Sequence, residues 1–278
     1  MLLLGDSSTD PRRFNASAWP APLPAAWTRT SYIWTASDPS LAAVNGDDSL
    51  PDLAIGRLPA NTLEQAHALV DKLIDWENAG FTFDGAAALV ADNPDSAGDF
   101  EANARDIATS FLAQRNPELI FLSQLGTDAT RSRVLGSLDQ GLSLLSYVGH
   151  GAQTAWASEY FLLAKDLAAL QAQTQQPLLL TLNCLNGYFV GSTYDSLAEA
   201  FLKAQGRGAI AAFSPSGLSL DGAAHLYHRA LMAEITSGTH ARLGDAVLQA
   251  QKTYAATGVM PEMLDIYHLL GDPATRIR

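Results

Sequence analysis

Six short apolar segments, separated by stretches of helical periodicity, constrain the fold of this 278-residue chain more than any other feature. Each segment is continuously hydrophobic instead of alternating, which is typical of strands covered on both faces of a sheet. The predicted strands are residues 53–55, 86–91, 118–122, 143–148, 178–183 and 208–213. Strands that alternate with helices predict an α/β protein whose sheet is mostly parallel and lies between helical layers.

The clearest helical stretch begins after Thr62, where residues 62–65 read TLEQ, a capping-box pattern. It continues with Ala66, Leu69 and Leu73 on one face at helical spacing. Further helices are predicted near residues 100–114, 129–139, 164–173, 194–205, 221–236 and 241–256.

Two irregular regions interrupt this alternation. Residues 5–50 are rich in Pro, Ser, Asp and Trp and show little periodicity, which predicts a functional loop or an insertion. Residues 79–85 read AGFTFDG and predict a junction between two unequal subdomains, 1–80 and 85–278. Residues 1–4 read MLLL, as a buried core strand would, so we expect the first subdomain to lack an upstream part.

Charge and composition exclude several classes of protein. The net charge is −12 and no run of Lys or Arg occurs, so the chain lacks the basic stripe that a nucleic-acid partner requires. No apolar run reaches the roughly 20 residues that span a bilayer. Cys184 is the only cysteine, which excludes an intrachain disulfide and a multi-cysteine zinc site.

Three chemically capable side chains stand at the ends of predicted strands: Asp92, His150 and Cys184. A crossover long enough for one helix joins the strands that lead to His150 and Cys184, so we expect these two strands to be neighbours. Open α/β sheets bind ligands at the carboxyl ends of their strands. An imidazole and a thiol are therefore predicted to meet in one crevice.

This pairing suits nucleophilic catalysis. A thiol is a strong nucleophile, and a neighbouring imidazole can assist its ionisation and later protonate a leaving amine. The N–H of Gly151 could face the oxygen of a tetrahedral intermediate, and the Asp92 carboxylate could orient the imidazole. Other interpretations stay open, because a strand-end cysteine is often a small buried hydrophobe and Asp92-Asn93-Pro94 is a common start of a turn.

Several motifs, in order along the chain, resemble a known family. Residues 146–151 read SYVGHG, residues 154–156 read TAW and residues 183–189 read NCLNGYF. These motifs resemble the catalytic core of gingipain-type cysteine peptidases, which share a caspase-like sheet with caspases and legumains. Further matches to the family cover most of the chain, at residues 3–6, 37–38, 51–59, 72–77 and 269–273.

The resemblance implies a caspase-like three-layer α/β sandwich and hydrolysis of peptide bonds through an acyl-enzyme. Cys184 falls on the family's nucleophile and His150 on its catalytic histidine. The N–H groups of Gly151 and Cys184 fall on the oxyanion hole. Asp92 falls where the family has an acidic partner of the histidine, although gingipains have the longer glutamate there.

The resemblance also implies residues that contact the substrate. Asp99, with Asp95 as the competing position, lies near the acidic residue that selects a basic side chain in arginine-directed members. A helix N-cap is the other interpretation of Asp99. Tyr147 and Trp156 belong to the matching motifs and are assigned to the substrate site, and the hydroxyl of Ser214 follows a predicted strand at the same edge.

The expected partner is a polypeptide substrate, without a required cofactor and without a metal in the active site. Calcium use and an extracellular location follow only from the resemblance, whereas membership of a larger precursor is expected from the apolar start of the chain. The loop that contains Asn45, Asp47, Asp48 and Asp52 offers oxygen ligands for calcium, but it lacks EF-hand spacing, so solvated turn residues are the default interpretation.

Two other functions use the same residues. A binding or scaffolding module would keep the fold without turnover, and a transpeptidase would resolve the acyl-enzyme with an incoming amine instead of water. The sequence does not distinguish them.

Overall fold

The computed structural model describes residues 1–46 and 48–277. The strands are β1 (Leu2–Leu4), β2 (Trp27–Arg29), β3 (Trp34–Ala36), β4 (Gly56–Leu58), β5 (Ala87–Ala91), β6 (Glu118–Phe121), β7 (Leu144–Val148), β8 (Gly151–Ala152), β9 (Ala155–Trp156), β10 (Leu162–Leu163), β11 (Leu178–Leu182), β12 (Ala211–Pro215) and β13 (Tyr267–Leu270). The α-helices are α1 (Leu63–Asn78), α2 (Phe100–Phe111), α3 (Leu122–Leu125), α4 (Thr127–Asp139), α5 (Leu197–Lys203), α6 (Asp221–Thr236), α7 (Leu243–Ala255) and α8 (Met263–Ile266).

The central sheet has eight strands in the order β1-β4-β13-β12-β11-β7-β5-β6. Every neighbouring pair is parallel except β12 and β13, which are antiparallel. Strands β1, β4 and β13 therefore run opposite to the other five. The predicted mostly parallel sheet is confirmed.

Both faces of the sheet are covered, which explains why the strands are continuously apolar. In β5, Leu89 packs into the cluster that includes α2, α6 and α7, whereas Val90 packs into the cluster that includes α1, α4 and α5. Alternate side chains of one strand thus enter two separate hydrophobic layers. The result is a three-layer sandwich with the sheet in the middle.

Several element boundaries differ from the sequence prediction. Residues 53–55 do not form a strand, because the segment that pairs with β1 and β13 begins three positions later at β4. The stretch 164–173 is reduced to a 3-10 turn at Ala164–Ala169. Strand β13 and the short hairpins were not predicted, since two to four residues are too few to show a periodicity.

Helix α1 begins as its sequence pattern predicts, with a shifted cap. Thr62 Oγ1 accepts a hydrogen bond from the Gln65 N–H at 3.2 Å. The Gln65 side chain reaches back to the N–H of Asn61, at 2.8 Å, instead of that of Thr62. Two helix-end donors are still satisfied, which is what a capping box provides.

The N-terminal region joins the main sheet through β1 and β4. The prediction that residues 1–4 form a buried core strand is wrong, because β1 is an edge strand in which Leu2 and Leu4 are 43% and 49% exposed. The irregular region 5–50 contains the antiparallel hairpin β2–β3. The division at residues 80–85 stays a prediction.

No α-helix in the part of the chain that the structure describes combines the length and the apolarity needed to cross a bilayer.

Candidate active site

Three adjacent strands bring the predicted residues to one edge of the sheet. Strand β7 lies between β5 and β11 and is parallel to both, with Val148 in register with Ala91 and Leu182. Asp92, His150 and Cys184 follow these three strand ends within one or two residues. The expectation that the strands leading to His150 and Cys184 are neighbours is confirmed.

Cys184 and His150 line the same narrow pocket, together with Asn183, Ser219 and Asp221. Cys184 is partly exposed, and its Sγ atom accepts a hydrogen bond from the Ser219 N–H at 3.5 Å. Burial raises the pKa of this thiol, and the Ser219 N–H opposes the rise because it favours the thiolate. The sulfur is therefore neither sealed in the core nor fully solvated.

The turn after Cys184 is held in an uncommon backbone conformation. Leu185 has a φ of +64°, in the left-handed region that non-glycine residues seldom adopt. Its N–H donates to the Gly217 carbonyl at 3.0 Å, and Asn186 accepts from the Asn183 side chain at 2.7 Å. Strain of this kind persists only where the surroundings fix it, and it is frequent at functional sites.

The imidazole of His150 pairs with Asp95, which the sequence analysis had weighed only as a substrate-binding residue. His150 Nε2 lies 2.8 Å from Asp95 Oδ2, and the two side chains are 41% and 44% exposed. The hydrogen bond from His150 holds the pKa of Asp95 below its usual value. The edge of the Phe100 ring faces the imidazole, with the ring centroids 5.3 Å apart.

Asp92 makes no hydrogen bond or ion pair with the imidazole among the described residues, so its predicted role as the partner of the ring is corrected. Its Oδ2 accepts from the backbone N–H of His150 at 3.0 Å, and its Oδ1 accepts from the Asn93 N–H at 2.7 Å. Burial raises the pKa of Asp92, and these two N–H groups oppose the rise. A short carboxylate directly after β5 reaches the neighbouring main chain, whereas Asp95 is three residues further along the loop.

The glycines on each side of His150 allow close approach of two neighbouring segments. A Cβ atom at Gly149 would lie 2.3 Å from the Asp92 Cβ, and one at Gly151 would lie 2.7 Å from the Cys184 carbonyl oxygen. Gly151 pairs with Trp156 across the β8–β9 hairpin. The Ala157 N–H donates to the His150 carbonyl, so the next pair along the hairpin, His150 and Ala157, is hydrogen-bonded. Because pairs with and without hydrogen bonds alternate along an antiparallel ladder, Gly151 and Trp156 form a pair without hydrogen bonds.

Asp99 is the N-cap of α2, which was the alternative interpretation of this residue. Its side chain accepts from the Ala102 N–H at 2.9 Å. The carboxylate that lines the pocket is Asp221, at the start of α6, and sequence reasoning missed it. The signal was available, because Asp221 follows β12 at the same edge of the sheet as Cys184.

Among the described residues, Asp221 is held by a neutral amide and not by a cationic side chain. Both of its carboxylate oxygens accept from the Asn103 amide, at 2.9 and 3.0 Å. Burial raises the pKa of Asp221, whereas the Asn103 hydrogen bond lowers it. Within residues 1–46 and 48–277, Asp221 makes no ion pair with a lysine, arginine or histidine side chain.

Tyr147, Trp156 and Ser214 lie behind the site instead of in it, so their predicted contact with substrate is corrected. All three are fully buried. The Tyr147 ring stacks on Trp156 with centroids 4.4 Å apart, and its hydroxyl donates to the His150 carbonyl at 2.7 Å. Ser214 Oγ accepts from Thr181 within the sheet at 2.6 Å. These buried side chains support the strands that lead to the site instead of lining its surface.

The described residues do not fit a calcium ion at either candidate position. Asp6, Asp195 and Glu199 bring carboxylates together, but Lys203 Nζ lies among them at 3.2, 2.5 and 3.2 Å. Burial lowers the pKa of Lys203, but the three carboxylates outweigh this effect and hold the pKa above its usual value. An ammonium group thus supplies the positive charge of this cluster.

In the predicted calcium loop, one Asp52 oxygen accepts two backbone N–H groups, those of Val44 and Asn45, both at 2.8 Å. Asp48 accepts from the Leu50 N–H, and Asp47 lies outside the described residues. These contacts match the default interpretation as turn residues.

A larger cavity, about 740 Å³, lies at the opposite edge of the sheet and is lined by α1 and the loop before β11. Its lysine, Lys72, donates to four backbone carbonyls at 2.7–3.4 Å. We assign the functional site to the smaller pocket because it contains the thiol and the imidazole.

Comparisons with known proteins agree on one family. The model of peptidase family C25 matches residues 1–278. Gingipain R2 and gingipain R1 of Porphyromonas gingivalis are each 25% identical to the chain over an alignment of 261 positions, and the match covers 87% of this chain and 35% and 26% of those proteins. The chain thus spans about a third or less of the length of these curated relatives.

Solved structures show the same fold. The Arg specific cysteine proteinase gingipain R superimposes with a TM-score of 0.81 at 20% identity, over 100% of this chain and 63% of that chain. Separase, in the Saccharomyces cerevisiae separase–securin complex, gives 0.55 at 15% identity over 79% of this chain and 14% of that chain. These likenesses confirm the predicted caspase-like α/β architecture.

Proposed function

The chain belongs to peptidase family C25, and we propose that it is a cysteine-type peptidase that hydrolyses peptide bonds with Cys184 as nucleophile and His150 as acid and base. The observation that carries the proposal is the pocket at adjacent strand ends that both side chains line. In the reaction, the sulfur attacks the peptide carbonyl carbon and the C–N bond breaks. Water then attacks the thioester and releases the acid and the thiol.

The pairing with Asp95 supports a defined role for each nitrogen of the His150 ring. When Nε2–H donates to the Asp95 carboxylate, Nδ1 is the nitrogen that accepts the thiol proton and later delivers it to the leaving amine. Asp95 then stabilises the imidazolium that forms in between. Asp92 acts one step further back, because it fixes the backbone of His150.

The oxyanion would lie against the N–H groups of Gly151 and Cys184. The pairing of β8 with β9 supports this, since an N–H in a pair without hydrogen bonds points away from the partner strand. Gly151 is also close to the Cys184 main chain, and a side chain there would displace it. Removal of one such donor typically costs ~10²–10³ in rate.

We assign preference for a basic side chain before the scissile bond to Asp221 instead of Asp99. Asp221 lines the pocket with the thiol, has no cationic partner among the described side chains and is partly desolvated, so a guanidinium or ammonium would form a charge-assisted hydrogen bond with it. Gingipain R, whose fold this chain shares, is an Arg specific proteinase, which agrees with the assignment. Asp99 is already used as a helix cap.

A larger precursor and an extracellular location remain part of the proposal. The partial coverage of the relatives supports the first, and the resemblance alone supports the second. Secretion from a bacterial host that expresses the full-length gene, followed by fractionation, tests the location.

The experiment for the proposed function combines labelling with a cleavage profile. A peptidyl electrophile should modify Cys184, and the His150→Ala variant should lose this reaction. On a peptide library, Asp221→Asn should lower kcat/KM about 100-fold for substrates with a basic residue before the scissile bond and leave neutral substrates within twofold.

Asp99→Asn is the matched control, because asparagine is an equally good N-cap, and it should leave both substrate classes unchanged. A Cys184 that reacts no faster than a free model thiol would contradict the catalytic assignment. Equal losses on both substrate classes in Asp221→Asn would remove Asp221 from the specificity pocket.

A further inference from the structure

The loop after β12, residues 216–219, holds the nucleophile from the side opposite His150. Gly217 accepts from the N–H of Leu185, the residue after Cys184, at 3.0 Å. Ser219 donates its N–H to the Cys184 sulfur at 3.5 Å. The position of the sulfur and of its strained turn therefore depends on where this loop lies.

Ser216 anchors the loop with every one of its polar groups. Its N–H donates to the Ile266 carbonyl at 2.7 Å. Its carbonyl accepts from Thr35 Oγ1 at 2.7 Å, and its hydroxyl donates to the Ala36 carbonyl at 2.8 Å. Ser216 and Thr35 are fully buried, so water does not replace these bonds.

The geometry fixes the tautomer of His268, which completes this anchor. The Asp38 N–H donates to His268 Nδ1 at 3.3 Å, so the proton of the neutral ring is on Nε2. His268 Nε2 then donates to Ser216 Oγ at 2.9 Å. Burial lowers the pKa of His268 to about 4, so the ring stays neutral near pH 7.

The N-terminal end of this network is itself held rigidly. The Asp38 carboxylate pairs with the Arg57 guanidinium through two bonds, at 2.6 and 2.7 Å. Arg57 is fully buried, donates to the Gly5 carbonyl and lies over the Phe189 ring at 4.6 Å. Residues 35–38 are thus fixed to β4 on one side and to the loop after β12 on the other.

We propose that Thr35, Ser216 and His268 are positioning residues for the peptidase reaction, through which the segment 35–38 fixes the Ser219 N–H against the Cys184 sulfur. This proposal rests on Cys184 as nucleophile. The Thr35 hydroxyl bonds to Ser216, which begins the loop that contains Gly217 and Ser219. Gly217 then bonds to Leu185, and Ser219 bonds to Cys184. Because the N–H bond favours the thiolate, a displaced loop makes the thiol harder to ionise.

Thr35→Val tests the proposal, since valine keeps the shape of threonine and removes the hydroxyl that holds Ser216. We expect kcat to fall about tenfold with KM within twofold. The pH profile of Cys184 alkylation by iodoacetamide should move to higher pH. Thr35→Ser, which keeps the hydroxyl, should restore both values.

Thr28→Val is the matched control. Thr28 pairs with Thr35 across the β2–β3 hairpin, and its side chain makes no hydrogen bond among the described residues. The same exchange there should leave kcat and the alkylation profile unchanged. If Thr35→Val does not fold at 25 °C, Ser216→Ala replaces it with the same expected results.

The proposal is overturned if Thr35→Val lowers the thermal midpoint while kcat and the alkylation profile equal those of the unmodified protein. It is also overturned if Thr35→Ser behaves like Thr35→Val. Failure of the proposed function gives a different result, because Cys184→Ala would then retain the peptidase activity.

Discussion

Two histidines lie on opposite sides of the strand that leads to Cys184, one after β7 and one in β13, and they differ in exposure and in hydrogen-bond partners. The His150 ring is 41% exposed and pairs with a carboxylate that is 44% exposed. His268 is 1% exposed, both of its nitrogens have partners, and its ring meets Phe189 edge-on with centroids 5.2 Å apart. The first side is open to water, whereas the second is part of the core.

The difference suits the role that we propose for each ring. A ring that exchanges protons with a substrate needs access to solvent and a partner that tolerates both protonation states. A ring that only holds a loop is better buried and neutral, because burial prevents titration and strengthens its hydrogen bonds. Substitutions at His150, His268 and Asp95 test the two sides separately.

The largest effect is expected for the solvent side. His150→Ala should lower kcat/KM about 10³-fold, because no other described side chain in the pocket can exchange the proton at neutral pH. The unfolding midpoint should change little, since the ring is partly exposed. Steady-state kinetics and thermal unfolding measure the two effects. A variant that keeps a tenth of the activity would break the comparison.

The core side should appear in stability as a function of pH. His268 has a pKa of about 4 in the folded chain and 6.5 when unfolded. Between these values the unfolded chain binds the proton and the folded chain does not, so the free energy of unfolding falls as the pH decreases from 6.5 to 4. The loss is roughly 3 kcal/mol, and urea titrations across this window measure it.

His268→Gln should make this pH dependence shallower. Part of the slope should remain, because burial also lowers the pKa of His228, to about 3. His67→Gln, an exchange at an exposed position of α1, is the control and should keep the original slope. An unchanged slope in His268→Gln would show that this ring is protonated in the folded chain.

The smallest effect is expected for Asp95→Asn. Asparagine keeps an oxygen that can accept from the ring but removes the charge that stabilises an imidazolium, so kcat should fall about tenfold on this exposed pair. High salt should narrow the gap between the variant and the unmodified protein. A loss as large as that of His150→Ala would mean that Asp95 is not the solvated partner described above.

The sequence predicted the positions of the thiol and the imidazole because strand ends follow from apolar periodicity, and parallel strands put these ends on one edge. It assigned the wrong carboxylate to His150, since the reach of Asp92 and Asp95 depends on a turn that no periodicity describes. Tyr147 and Trp156 belong to the right motifs but point into the core. Asp221 was missed because the prediction at the end of β12 considered only hydroxyl side chains, such as that of Ser214.

The core side could not be predicted in this way. His268 lies in β13, a strand of four residues. The two strands that pair with β13, β4 and β12, are both more than 50 positions away from it in the sequence. Ser216 and Thr35 carry no chemical signature of their own. Their contact arises only when the hairpin β2–β3 packs against the loop after β12, which is a property of the tertiary structure.

Strand β13 lies between β4 and β12, although it follows both in the chain. While the polypeptide is being synthesised, β1 and β4 therefore have no route into the main sheet until the segment with Tyr267 has left the ribosome. The hydrogen bond between His268 and Ser216 forms at the same late stage of synthesis. Translation order thus delays completion of the contacts around the turn at Cys184 until nearly all of the described polypeptide has emerged.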